Sequence, residues 1–245
     1  IRENKNALTT LDEAIKKAGT LYEKAENIDH PMAKTVTKAG NALSRVGWIL
    51  DFTLAHETDI LALLGADTPE RYIVFNQNRD EIRANGGFPG SIITFTMYKG
   101  NIEDFRTDDV YYYDWNLYPY KEPPPPWLSL ISGNYGLRDV NYYASFRDTL
   151  DKANNFIEKS GDPTVTVGVA IHQWLVEDML GVLSGVTLSG VNIPFTSENF
   201  SPLMSTLVES RYGERTSAKD VLGDFVSAFF EKVEKQKAYS DMFDI

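Results

Sequence analysis

Apolar positions recur at helical spacing over residues 6–28, at Leu8, Leu11, Ile15, Ala18, Leu21, Tyr22, Ala25 and Ile28, while Lys16, Lys17, Glu23 and Lys24 fall on the other side. This predicts an amphipathic helix. Thr10 and Glu13 stand at capping-box spacing and place its start there. His30-Pro31 interrupts the pattern. A second periodic stretch then carries Val36, Ala39, Leu43, Val46, Ile49, Leu50 and Leu54 and runs on to 60–65. Two antiparallel helices joined by a short Pro-containing turn would bury these faces against each other, so residues 1–64 read as a helical hairpin or stalk.

After Thr68-Pro69 the character changes. Tyr72, Ile73, Val74 and Phe75 form one β-rich run, and Ile92, Ile93, Thr94, Phe95 and Thr96 another. Residues 99–126 are the least regular, with a Lys99-Gly100 turn, an acidic and aromatic stretch over 108–120, and four prolines at 123–126 that exclude a helix or a central strand. From Asn141 the pattern predicts a helix over 143–159, a strand over 164–170, a helix over 171–183 and a strand over 185–193. Thr196 or Ser197 is placed to cap a further helix, and Ser217 with Asp220 to cap a last one ending near Tyr239. The fold class this predicts for 65–245 is mixed α/β (α+β), a central mixed sheet flanked by helices and preceded by the helical hairpin.

At 245 residues, 42% hydrophobic and 24% charged, the chain can bury a large core without metal or disulfide staples. A net charge of -11 with no Lys/Arg run argues against nucleic-acid backbones and disfavours anionic lipid surfaces as partners. It leaves room for a small anion held locally by a few arginines. Cysteine is absent, which removes disulfides, thiolate nucleophiles and cysteine zinc sites; that usage suits an exported protein and many cytosolic ones. No apolar run reaches the roughly 18 residues of a spanning helix. With Ile1 at its start, the chain reads as a piece of a longer precursor, and an upstream membrane anchor is expected.

The most informative segment is 76–91, which lies between the two apolar runs and joins Asn78, Arg79 and Arg83 to Gly86, Gly87 and Gly90. Glycines permit positive φ or close approach to the backbone, and the arginines supply charged donors, so together they are candidates for an oxyanion pocket. On spacing alone the same residues read first as a shaped connection whose arginines pair with Asp80, Glu81 or Asp67 on the surface. The spacing is neither a Walker loop nor a dinucleotide fingerprint.

Elsewhere the chemistry is sparse. His30, His56 and His172 are too scattered for a zinc motif or a Ser-His-Asp arrangement, with His30 expected in a turn and His56 on a helix surface. Glu103, Asp104, Asp108, Asp109 and Asp114 offer oxygen ligands without EF-hand spacing and read first as a solvated acidic loop, while Glu177 and Asp178 read as helix-surface charges. Tyr111, Tyr112, Tyr113, Trp115, Tyr118, Tyr120 and Trp127 could stack on sugar rings or receive a protein partner at the Tyr/Pro-rich loop; strand packing explains the tyrosines equally well.

Segment 77–91 resembles a bacterial domain-of-unknown-function family, four-zero-one-two, whose pattern runs Gln-Asn-x-x-Glu-Leu-Arg-x-x-Gly-Gly-Phe-x-Gly-Ser. Gln77, Asn78, Glu81, Arg83, Gly86, Gly87, Phe88, Gly90 and Ser91 match, with Ile82 in place of Leu. Leu63-Leu64-Gly65-Ala66-Asp67 with Arg71-Tyr72, Arg138-Asp139-Val140-Asn141, and the stretch 167–186 followed by Ser197-Glu198-Asn199 extend the likeness over most of 60–210. The chain departs from the family at His172-Gln173, where Asp-Pro is common, and after Asn141. The resemblance implies an extracytoplasmic location in the cell envelope and leaves the reaction open.

A more distant, pattern-level likeness is to the LytR-CpsA-Psr enzymes, membrane-anchored transferases of polyprenyl-pyrophosphate-linked glycans. Segment 63–67 looks like their Leu-Leu-Gly-x-Asp strand end, and 180–193 resembles their Asp-x-x-Gly-Gly-Val segment. That likeness implies arginines to neutralise a pyrophosphate and a carboxylate to hold Mg²⁺. Arg79 and Arg83 with Asp67 would be the catalytic group, Asn78, Gly86, Gly87, Arg138 and Asp139 the ligand-binding group, and Asp67 or Asp139 the metal ligand. The expectation is recognition, and in one form transfer, of a phosphorylated or lipid-linked glycan. The alternative is a non-enzymatic surface or assembly protein.

Overall fold

The computed structural model describes residues 2–26, 33–210 and 220–236. The chain falls into two compact units, residues 1–69 with 98–101, and residues 70–97 with 102–245.

The first unit is built on two long helices, α1 (Lys5–Glu26) and α2 (Ala33–Ala55), followed by a short α3 (Glu57–Leu63). The long pair is antiparallel, since Tyr22 lies against Gly40, Ile15 against Gly47, and Lys5 bonds Glu57 at 2.5 Å. A Cβ at Gly40 would stand 3.1 Å from Tyr22 Cβ, and one at Gly47 3.2 Å from Ile15 Cγ2, so the two glycines set how closely the helices approach. Lys16 bridges Asp12 at 2.8 Å and Asp51 at 2.6 Å. Two helices cannot cover all their apolar side chains, and Trp48 and Phe52 stay exposed, stacked on each other. The helical pair expected from the periodicity is present, but α1 begins at Lys5 rather than at a Thr10 cap. Thr10 Oγ1 instead donates to Asn6 O at 2.9 Å, the bond a hydroxyl makes inside a helix when the carbonyl four residues back is within reach. The turn at Lys99-Gly100, with φ of 49° and 77°, donates both amides to Gly65 O and Leu64 O at 2.9 Å.

The second unit is a four-stranded sheet with helices packed on it. Its strands are β1 (Glu70–Asn78), β2 (Phe88–Tyr98), β3 (Asn101–Asp109) and β4 (Val167–His172), in the order β3-β2-β1-β4. β1 is antiparallel to β2, with Phe75 opposite Ile92, and parallel to β4, with Phe75 opposite Ala170. One core sets Ile73, Phe75 and Ile92 against Tyr113 of α4 (Val110–Asn116), Val140 of the 3-10 turn Leu137–Tyr142, and Phe156 and Ile157 of α5 (Phe146–Lys159). A second core joins Leu180 and Leu183 of α6 (Gln173–Leu183), Met204 and Leu207 of α7 (Phe200–Glu209), and Phe225 and Phe229 of α8 (Asp220–Gln236). This is the mixed α+β architecture expected, with prolines 123–126 outside helix and strand.

Several local expectations are corrected. Residues 101–109 form an edge strand and 110–116 a helix, where an irregular stretch with tyrosines on a strand was expected. Asp109 accepts a bond from Tyr111 N at 3.0 Å, and this cap turns the aromatic run helical. No strand spans 185–193: Val186 and Phe195 make an isolated bridge, with Gly185 at φ 85° and Gly190 at φ 80° bending the chain between. α7 is entered through Asn199, whose Oδ1 accepts from Thr196 N at 2.8 Å, rather than capped by Thr196 or Ser197. His30-Pro31, Ser217 and Tyr239 lie outside the described residues.

Candidate functional site

β1 ends at Asn78 and β2 starts at Phe88, and the segment between is clasped inward by buried polar side chains. Gln77 is 2% exposed, and its Nε2 donates to Asn85 O at 2.8 Å. Asn85 Nδ2 donates to Thr149 Oγ1 on α5 at 3.1 Å, and Asn85 N to Asn141 O at 3.2 Å. Asn141 is wholly buried, and its Nδ2 donates to Gly87 O at 2.6 Å. The two glycines are required by space. A Cβ at Gly86, where φ is +90°, would stand 2.2 Å from Gln77 Oε1 and 2.6 Å from His172 Nε2. One at Gly87 would stand 2.3 Å from Asn78 O. Gly87 N also donates to Asn85 O at 3.2 Å, so Gly87 gives its peptide groups to the clasp.

Each arginine of the expected clamp has a carboxylate opposite it. Arg79 makes a two-pronged bond to Glu177 at 3.0 and 3.2 Å and lies 5.7 Å from the centre of the Trp174 ring. Glu177 is therefore a largely covered ion-pair partner, its side chain 15% exposed, and not the helix-surface charge expected. Arg83 donates to Ile82 O at 3.0 Å, lies over the Phe88 ring, and stands 3.9 Å from Glu81. Arg138 bonds Asp114 at 2.5 Å and Ser132 Oγ at 3.0 Å, with Asp139 at 3.4 Å. Asp114 also accepts from Leu137 N at 2.6 Å, and a Cβ at Gly136 would stand 2.3 Å from its Oδ1.

Arg138 thus stands beside Asp139, while Arg79 is committed to Glu177 and Arg83 to Ile82 O and the face of Phe88. Burial raises the Asp139 carboxyl above its ordinary range; Arg138 and Arg83 oppose that rise and Asp114 adds to it. A dication at Asp139 would have to displace guanidinium charge, so this donor set does not fit Mg²⁺. Among the described residues no group of three His, Cys, Asp or Glu is placed to hold a metal. Asp67 belongs to the first unit, whereas the other candidate residues belong to the second. The acidic side chains 103–114 separate: Asp108 pairs with Arg106 at 2.6 Å, Asp109 caps α4 and Asp114 anchors Arg138.

Beside the clasp lies a cavity of about 380 Å³. It opens at the carboxyl ends of the parallel strands β1 and β4, the usual place for a ligand in an α/β sheet. One wall is polar: Asn76, Gln77 and Asn78 of β1, Ser91 of β2, and His172 and Gln173 where β4 passes into α6. Asn76 Nδ2 donates to Ser91 Oγ at 3.0 Å, and the His172 ring stacks on Trp174. The helix side is mostly apolar, from Val176 of α6, Phe200, Met204 and Val208 of α7, and Leu222, Phe225 and Val226 of α8, with Ser205 of α7 among them, while Phe88 and Ile171 add apolar surface on the strand side. Glu81 and Tyr111 stand at the polar side, and among the described residues no Lys or Arg lines the cavity. Sequence reasoning singled out the clasp but missed His172, Gln173 and the whole apolar wall. The amphipathic stretches 200–208 and 220–226 were the available signal, and they do not say which strand ends they face.

No curated protein and no solved structure shows a significant match to the chain. A protein family does: the one described as "Protein of unknown function (DUF4012)" matches residues 67–208, more than half of the chain, running from the approach to β1 through the clasp and β4 into α7. The chain belongs to the DUF4012 family.

Proposed function

We propose that the second unit binds an amphipathic ligand, a lipid-linked glycan of the bacterial cell envelope, with the hydroxyl-bearing head against the clasp and the apolar chain between α7 and α8. The observation that carries this reading is one cavity whose strand side is rich in amides and hydroxyls and whose helix side is mostly hydrocarbon. Amides and hydroxyls donate and accept within one small surface, which suits a polyol better than a bare phosphate. The arginines expected to clamp pyrophosphate serve the fold in this reading, since each already faces a carboxylate. The envelope location and the lipid-linked character are taken from the family resemblances; the head-group chemistry is taken from the cavity wall. The role is binding and presentation, and no bond-making step is assigned.

Calorimetric titration of the 245-residue chain with octyl glucoside below its micelle concentration, and with octyl phosphate and glucose, tests this reading. Octyl glucoside is expected to bind at least tenfold more tightly than either, and Val226→Trp, which fills the cavity, is expected to abolish the heat. Equal or tighter binding of octyl phosphate, or undiminished binding by Val226→Trp, would overturn it.

A further inference from the structure

A second hollow, of about 210 Å³, shares no lining residue with the large cavity among the described residues. Its sides come from the end of α4 and the segment after it, with Trp115, Tyr118 and Tyr120. Asp114 and Arg138 also line it, and their ion pair is fixed by Leu137 N and Ser132. Trp115 is 76% and Tyr118 78% exposed, and Trp127, just past the prolines, is 77% exposed. The exposed Lys121 and Asn134 lie among these rings.

Two large aromatic rings left in water beside one hollow call for a partner with a flat apolar face. Polar side chains interleaved with them call for hydroxyl or amide groups around that face. A pyranose ring has both, with C–H groups on its faces and hydroxyls on its rim. A nucleobase also stacks, but its phosphate chain is repelled by the net charge of -11, and the same charge disfavours a polyanionic glycan. We infer that this hollow is a stacking subsite for a neutral polysaccharide chain, with Trp115 and Tyr118 as the faces and Lys121 and Asn134 as hydroxyl partners. It is independent of the large cavity, so a failure of one reading leaves the other standing.

The test is affinity gel electrophoresis of the whole chain through gels holding neutral polysaccharides (a glucan, a mannan, a galactan and a xylan), with alginate as the polyanionic arm. A proline-rich peptide titrated by tryptophan fluorescence forms the protein arm. At least one neutral polysaccharide is expected to retard the chain. Trp115→Ala and Tyr118→Ala are each expected to weaken that binding tenfold or more with unchanged melting, since both rings stand in solvent. Lack of retardation by every neutral polysaccharide, equal retardation of the two variants, stronger retardation by alginate, or binding of the peptide alone would overturn the inference.

Discussion

Replacing Gly86 by alanine separates backbone strain from loss of space. At φ +90° a side chain is strained wherever it stands, by about 1–2 kcal/mol. The new Cβ would also lie 2.2 Å from Gln77 Oε1, so the Gln77 side chain must leave its place and its bond to Asn85 O. Leaving those buried groups unsatisfied costs about a further 1–3 kcal/mol. The expected loss is therefore about 2–5 kcal/mol. Gly161 is the internal control: its φ is +95° and nothing stands within 4 Å of its built Cβ, so Gly161→Ala carries the strain alone. Gly223 in α8 is the opposite control, with open space and helical backbone, and alanine there is expected to stabilise by about 0.5–1 kcal/mol. All three glycines lie in the second unit, so urea denaturation followed by tryptophan fluorescence compares them directly. If Gly86→Ala falls within about 0.5 kcal/mol of Gly161→Ala, the clasp is not the close-packed element described here.

Arg79→Ala is expected to lower stability by about 1–2 kcal/mol, because it leaves the largely covered Glu177 carboxylate unpaired, with the pair's partial exposure holding the cost down; Arg79→Ala with Glu177→Gln should recover much of that loss in a denaturation cycle, and strict additivity of the two changes would contradict the pairing. Asp139→Asn tests the buried carboxyl. Its native pKa lies above the ordinary 3.8, so in the window just above that value the folded state holds the proton more tightly than the unfolded chain, and stability falls as pH rises until the native pKa is passed. The wild-type minus variant difference in unfolding free energy should carry that downward slope above pH 3.8, and a flat difference would show that the carboxyl is not desolvated as described.

What could be read from the sequence follows from how local each signal is. The α1–α2 pair was legible because its apolar spacing persists through several turns, and β1 and β2 because Ile73-Val74-Phe75 and Ile92-Ile93 are β-rich runs between turn residues. β3 was not, because it is an edge strand whose first five residues, 101–105, are all exposed, so burial never imposes an alternation. α4 was missed because tyrosines suit a strand as well as a helix, and the deciding signal is the single Asp109 cap. The Gly86-Gly87 segment was legible as special, but not why: Arg79 finds Glu177 98 positions away, and Asn141 reaches Gly87 across 54. Such pairings are set by tertiary packing, and no local pattern encodes them.

The most direct measurement of the central claim is a heteronuclear NMR titration of the labelled chain with octyl glucoside. The account predicts simultaneous shifts at the head end, in the Gly90 amide and the His172 ring, and at the tail end, in the Met204 and Val226 methyl groups, saturating together at one stoichiometric equivalent. Shifts confined to exposed apolar side chains such as Trp48 and Phe52, or shifts at one wall of the cavity without the other, would contradict it.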